Sequence, residues 1–217
     1  AIDYLRGRSP DVLILNGDTI DFYQLSRFSK DPSAVSVAEE LDMTRKLLDL
    51  LRRLFPKARI LFKIGNHEDR LEKYLWTKCP ELLGLPFTSL ASLINADECG
   101  VEIVESRSLI KAGKLNILHG HEFGTAIFNP VNAARGTFLR AKCSTIVGHH
   151  HATSEHSENN LNGDAMACWS TGCLCDLRPG YLPFAFTRWN HGFAFVDLQK
   201  DGSFTVQNHR IIDGKVH

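Results

Sequence analysis

The sequence has no excess of charge of either sign. Lysine plus arginine and aspartate plus glutamate each total 25 in 217 residues, so no net field draws the chain to nucleic acid or to an anionic membrane surface. Apolar runs of the roughly 18–20 residues that cross a bilayer are absent. The opening Ala1-Ile2-Asp3-Tyr4-Leu5-Arg6 lacks the apolar core of a secretory leader and does not start with Met. Internal repeats and low-complexity tracts are also missing. The six cysteines include no CxxC pair. Without an export signal they are expected to be reduced, and Cys168, Cys173 and Cys175 are expected to be buried structural thiols rather than a metal site. The expected location is cytoplasmic, with no membrane contact. The 43% hydrophobic and 23% charged content is that of a folded chain, long enough for a single domain over 1–217.

The order of patterns predicts an α/β fold. A helix end up to Arg8 is broken by Gly7 and Ser9-Pro10, and Val12–Leu15 is a short apolar run of the kind buried in a parallel sheet. Asp31-Pro32-Ser33 is expected to open a helix from about 34 to 55, with Leu41, Leu47, Leu48, Leu51 and Leu54 at helical spacing and Pro56 beyond its end. A strand over Ile60–Ile64 and helices over 69–77 and 89–94 come next. Strands follow at Val101–Val104, Ser108–Lys111, Leu115–Leu118 and Thr145–Val147, with a helix near 132–141 before the last. Gly192–Leu198, the Asp201-Gly202 turn and Ser203–Ile212 read as a hairpin. Alternating strands and helices predict mainly parallel pairing, and the short links later in the chain predict added antiparallel pairing.

Four of these strands run into the same kind of sequence: Asn16-Gly17-Asp18-Thr19-Ile20-Asp21, Gly65-Asn66-His67-Glu68, His119-Gly120-His121-Glu122 and Gly148-His149-His150-His151. Loops at the carboxyl ends of parallel strands are where α/β sheets bind ligands. Oxygen and imidazole donors there suit divalent manganese, zinc, iron or nickel. Alone, each segment reads more readily as a turn, a cap or a polar surface than as a metal ligand. Their recurrence at four strand ends is what points to metal chemistry.

In this order, Gly-Asp-x-x-Asp, Gly-Asn-His-Glu, His-Gly-His and Gly-His-x-His resemble the calcineurin-like metallophosphoesterases over about residues 11–151. Gly172–Leu177 and Trp189–Phe193 resemble phage and bacterial members of that family. The resemblance implies an α/β/β/α sandwich with mixed sheets and the metal site at the carboxyl ends of its strands. It implies a hydrolase acting on phosphodiesters or phosphomonoesters with two divalent ions, manganese first among the candidates. Asp18 would bridge ions about 3.5–4 Å apart. Asn66, His119 and His149 would complete the second ion's ligands, and His151 would bind the first. His67 would protonate the leaving group and Asp21 would orient His67. His121 and Arg70 are candidates for substrate phosphate, although Arg70 reads more readily as a solvated helical arginine, and Glu122 is a candidate for a support of a ligand histidine.

The family's Asp-x-His, which lies on a first strand upstream of Gly-Asp and binds the first ion, is not found here. The expectation is a chain that lacks that strand, the alternative being divergence to a non-catalytic scaffold. Asp21 is followed by Phe22-Tyr23 rather than the Arg-Gly of phosphoprotein phosphatases, so a phosphate-gripping arginine is absent at that position. Phe22, Tyr23, Phe123 and Phe128 flank the loops as nucleobase platforms or as core. A nucleic-acid-binding domain without chemistry has no basic cluster to support it.

Overall fold

The computed structural model describes residues 1–127, 131–179 and 186–217, which form two compact units, Ile2–Ser106 and Arg107–His217. Phe128 lies outside the described residues. The fold is mixed α/β.

In the first unit a short helix α1 (Ile2–Arg6) precedes β1 (Val12–Leu15). Helix α2 (Val37–Leu54) leads to β2 (Arg59–Lys63). Helices α3 (Asp69–Lys78) and α4 (Leu90–Leu93) lead to β3 (Val101–Val104). The three strands pair in parallel, in the order β1-β2-β3. Strand β1 has the predicted span, although Val12 is exposed rather than buried.

Helix α2 begins later than Asp31-Pro32-Ser33 suggested. Asp31 accepts the Ser33 N–H at 2.8 Å and closes a local turn. Ser36 is the true cap: its hydroxyl accepts the Glu39 N–H at 3.3 Å, and Glu39 accepts the Ser36 N–H at 2.9 Å. This reciprocal pair satisfies two otherwise orphaned donors. Leu41, Leu48 and Leu51 then recur on one face and are buried with Phe22, Ile60 and Phe62. Each such side chain contributes about 1.5–3 kcal/mol by leaving water. Arg52 ties the helix to its surroundings by donating to the carbonyls of Ala58, Cys99 and Gly100 at 2.7–2.8 Å. The ammonium of Lys63, fully buried at the end of β2, donates to the carbonyls of Glu105 and Ser106. A buried charge needs such partners.

The second unit contains β4 (Ile110–Ala112), β5 (Leu115–Ile117), α5 (Ala133–Ala141), β6 (Thr145–Val147), β7 (Ser154–Asn159) and β8 (Ala165–Ser170). Their sheet has the order β4-β5-β6-β8-β7. Strands β5, β6 and β8 run parallel, and β4 and β7 are added antiparallel at the edges. Strands β9 (His191–Leu198), β10 (Phe204–Ile212) and β11 (Lys215–Val216) form a separate antiparallel sheet, which includes the predicted hairpin. Asn208 on β10 donates to the carbonyls of Ser154 and Ser170, and the Phe204 ring meets Trp169 edge-on at 6.1 Å, so the two sheets are joined by both polar and apolar means. Phe138 of α5 packs on Cys168 and Met166.

The sequence reading contained neither β7 nor β8. Ser154–Asn159 is entirely polar and has no apolar alternation to mark it, and only pairing with β8 makes it a strand. Among the described residues no helix is long and apolar enough to cross a membrane.

Candidate functional site

The four motif-bearing strands fall into two parallel pairs, β1 with β2 in the first unit and β5 with β6 in the second. Neighbouring parallel strands end side by side, so each pair brings two of the expected loops together.

In the first unit the loops after β1 and β2 close on one buried carboxylate. Glu68, only 2% exposed, accepts four backbone N–H groups. Its Oε2 takes those of Asp18 and Gly65, each at 2.9 Å, and its Oε1 takes those of Thr19 at 2.7 Å and Ile20 at 3.0 Å. Burial, with the charge of Asp18 added, pushes the Glu68 carboxyl above its ordinary range, against the pull of these donors. The geometry fits the ionised form, because two donors occupy each oxygen. Gly65 permits the approach: a Cβ there would stand 2.6 Å from the Asp18 nitrogen. Asp18 itself has φ +55°, a left-handed conformation that aspartate tolerates better than most residues.

His67 lies among carboxylates. Its backbone N–H donates to Asp18 Oδ1 at 3.0 Å, its Nδ1 is 2.9 Å from Asp21 Oδ1, and its Nε2 is 3.8 Å from Asp18 Oδ2. Arg70 Nη1 donates to both Asp21 Oδ1 and the Asp21 carbonyl at 2.7 Å. Its guanidinium is therefore engaged with Asp21 rather than a solvated helical charge. Burial alone would raise the Asp21 carboxyl. The His67 hydrogen bond and the charges of His67 and Arg70 outweigh it and hold the group below the usual carboxylate range. Behind Asp21, Glu40 of α2 accepts the Phe22 N–H at 3.2 Å, and burial together with the charge of Asp21 pushes its carboxyl up to about 7. Asn66 sits half-buried in the same loop as His67. Phe22 is fully buried in the core and offers no stacking face, whereas Tyr23 and Phe123 are half-buried.

In the second unit His119 and His149 stand at the ends of β5 and β6. His149 Nδ1 and His119 Nε2 are 3.2 Å apart. That separation suits an N–H···N bond. It also suits two imidazoles on one divalent ion, since metal–nitrogen bonds of about 2.0–2.1 Å at near-tetrahedral angles put the nitrogens roughly 3.0–3.4 Å apart. The donor set therefore fits a metal. The rings of His121 and His119 have centroids 5.2 Å apart. Glu122 accepts the backbone N–H of Gly120 at 2.6 Å and of His119 at 3.2 Å, so it supports the loop that carries His119 through the main chain.

His151 has φ +56° and meets a different set. Its Nδ1 is 4.0 Å from Cys175 Sγ, and the ligand atoms of His151, Cys173 and Cys175 all lie within 4.8 Å of one another. The Cys175 thiol donates to Cys173. That bond holds the Cys173 thiol down to about 7 and, with burial, pushes Cys175 up to about 12. Cys168 is a buried core thiol, as the sequence suggested, but Cys173 and Cys175 are not: the first is half-buried and the second exposed, beside a histidine.

Glu68, Glu40 and Asn190, which bonds the segments of His151 and Cys173, received no role from the sequence. Glu68 adjoins His67 in the motif, but nothing in the pattern tells which amides it takes. Compared with family models, with curated proteins and with solved structures, the chain has no match.

Proposed function

We propose that this chain is a metal-dependent phosphoester hydrolase of the calcineurin-like type, acting on phosphodiesters or phosphomonoesters in the cytoplasm. The observation that carries the reading is the His67–Asp21–Arg70 chain beside Asp18: an imidazole held by one carboxylate, with its other nitrogen toward a second. A structural histidine needs no such arrangement, whereas an acid that serves a leaving group does.

On this reading Asp18, Asn66, His119 and His149 would serve one divalent ion, and Asp18 and His151 the other. Such ions would supply Lewis-acid chemistry, making water more acidic and offsetting the charge of the phosphate oxygens. The chain's own residues do the remainder. Protonated His67 gives its Nε2 proton to the departing oxygen, and Asp21, kept ionised by His67 and Arg70, stabilises that protonated form and fixes the ring. Arg70 is thus a positioning residue for Asp21. His121 is assigned to substrate phosphate.

The test compares two diester substrates in the presence of Mn²⁺, one with a nitrophenyl and one with an alkyl leaving group. His67→Ala is expected to slow alkyl release about 10²–10⁴-fold, the usual contribution of a positioned acid, and nitrophenyl release far less, because that group departs without a proton. Asp18→Asn is expected to abolish both. Equal turnover by wild type and both variants would refute the assignment, and a metal-loaded chain with no turnover at all would favour the scaffold alternative.

A further inference from the structure

We propose that His151, Cys173 and Cys175 form a binding site for a thiophilic divalent ion of the zinc class, with at least one coordination position open to solvent. The inference stands on the second unit alone and does not depend on phosphoester hydrolysis. It assigns the two thiols, to which the phosphoesterase reading gives no part.

The local chain brings these ligands together and holds them. The Asn190 backbone bonds both ligand segments: its N–H donates to the His151 carbonyl and its carbonyl accepts the Cys173 N–H, each at 2.9 Å. Gly192 N–H donates to the Cys173 carbonyl at 3.0 Å. The Asn190 side chain is locked in turn, donating to Thr153 Oγ1 at 2.7 Å and accepting the Thr153 N–H at 2.9 Å. Gly172 allows this close approach, since a Cβ there would stand 2.5 Å from the Asn190 carbonyl oxygen. The Trp189 ring meets His151 edge-on at 4.5 Å and orients the imidazole, while His191 Nε2 lies 2.8 Å from the Cys175 carbonyl. Cys173 and Cys175 are two apart with both sulfurs toward His151, and Leu174 between them is 64% exposed.

The chemistry of the set selects the ion. Two thiolates and an imidazole are soft and borderline ligands, which favour zinc over magnesium, calcium or manganese. Zinc–sulfur bonds of about 2.3 Å and zinc–nitrogen bonds of about 2.0–2.1 Å place sulfur and nitrogen roughly 3.6 Å apart on a tetrahedral ion. The observed 4.0 Å between His151 and Cys175 needs only a small inward movement of an exposed side chain. Binding exchanges the thiol protons for the metal, with release of both to solvent. Three protein ligands and an open position are the pattern of zinc sites that bind a water or a substrate atom. If the phosphoesterase reading also holds, the two thiols supply further ligands to the ion that His151 serves.

The experiment titrates the reduced, metal-free chain with Co²⁺ under anaerobic conditions and reads the thiolate-to-cobalt charge-transfer absorption. The expected result is a band that saturates at one cobalt per chain, is displaced by Zn²⁺, weakens in Cys175→Ser and vanishes in the Cys173→Ser/Cys175→Ser double variant. Cobalt uptake without that band, or a band unchanged in the double variant, overturns the proposal. As a measurement on the unaltered chain, alkylation of Cys173 and Cys175 followed by mass spectrometry is expected to slow when one equivalent of Zn²⁺ is present. Equal alkylation with and without zinc, or reduced thiols that close to a disulfide despite zinc, also overturns it. None of these readouts involves turnover, so their failure leaves the phosphoesterase reading standing.

Discussion

Replacing Glu68 by glutamine tests the central support of the first unit, because it keeps the side chain's shape and changes only its charge and hydrogen-bond polarity. The carboxylate accepts N–H groups from Asp18, Thr19, Ile20 and Gly65, two on each oxygen. A carboxamide keeps the two on its oxygen and points an NH₂ donor at the other two, in either flip. Two hydrogen bonds to a charged acceptor are lost, each contributing about 1.5–3 kcal/mol, so the gross loss is about 3–6 kcal/mol. Part is offset because a buried charge near Asp18 disappears, and the expected net destabilisation is about 2–4 kcal/mol. Against the usual stability of about 5–15 kcal/mol this is large. Urea unfolding of wild type and variant measures it, with the slope checked for constancy. Amide exchange at Asp18, Thr19, Ile20 and Gly65 supplies the local readout and is expected to accelerate at all four. A stability within about 0.5 kcal/mol of wild type, the range of an ordinary surface change, would refute the reasoning.

Two further predictions concern single sites. Glu40 has its carboxyl raised from 4.5 to about 7 by burial and the Asp21 charge, so the stability present with the group protonated is lost as pH rises from about 4.5 through 7. Glu40→Gln keeps an acceptor for the Phe22 N–H and is expected to match wild type below about pH 4.5. It should exceed wild type above pH 7 by at most about 3.4 kcal/mol, and about 1–2 kcal/mol after allowance for solvent; denaturant midpoints over this pH range test it, and coincident curves would count against it. Gly172→Ala puts a methyl 2.5 Å from the Asn190 oxygen and 2.6 Å from the Gly192 nitrogen, both backbone, and is expected to cost about 1–3 kcal/mol by overpacking. Thermal melting measures this, and an unchanged Tm would mean that the clasp between the His151 and Cys173 segments is looser than its geometry.

The α/β class and most element positions were legible because each rests on a local signal: apolar runs at Val12–Leu15 and Thr145–Val147, helical spacing from Leu41 to Leu51, a turn at Asp201-Gly202. The start of α2 was misplaced because Asp31 and Ser36 both carry capping chemistry, and only Ser36 has a glutamate three residues on to complete it. Strand β7 escaped because its residues are all polar.

By itself the sequence determined which chemistry stands at the strand ends: carboxylate, carboxamide and imidazole after β1, β2, β5 and β6, with glycines where the chain must turn. Those are properties of neighbouring residues, and neighbours are what a sequence displays. Only the tertiary structure decided that Glu68 reaches back about 50 positions to hold the Asp18 loop, that Arg70 is committed to Asp21, and that Cys173 and Cys175 meet His151 rather than pack with Cys168. Such partners are chosen by strand pairing and close packing over long stretches of chain, where burial forces every carboxylate and amide to find a complement that no local pattern specifies.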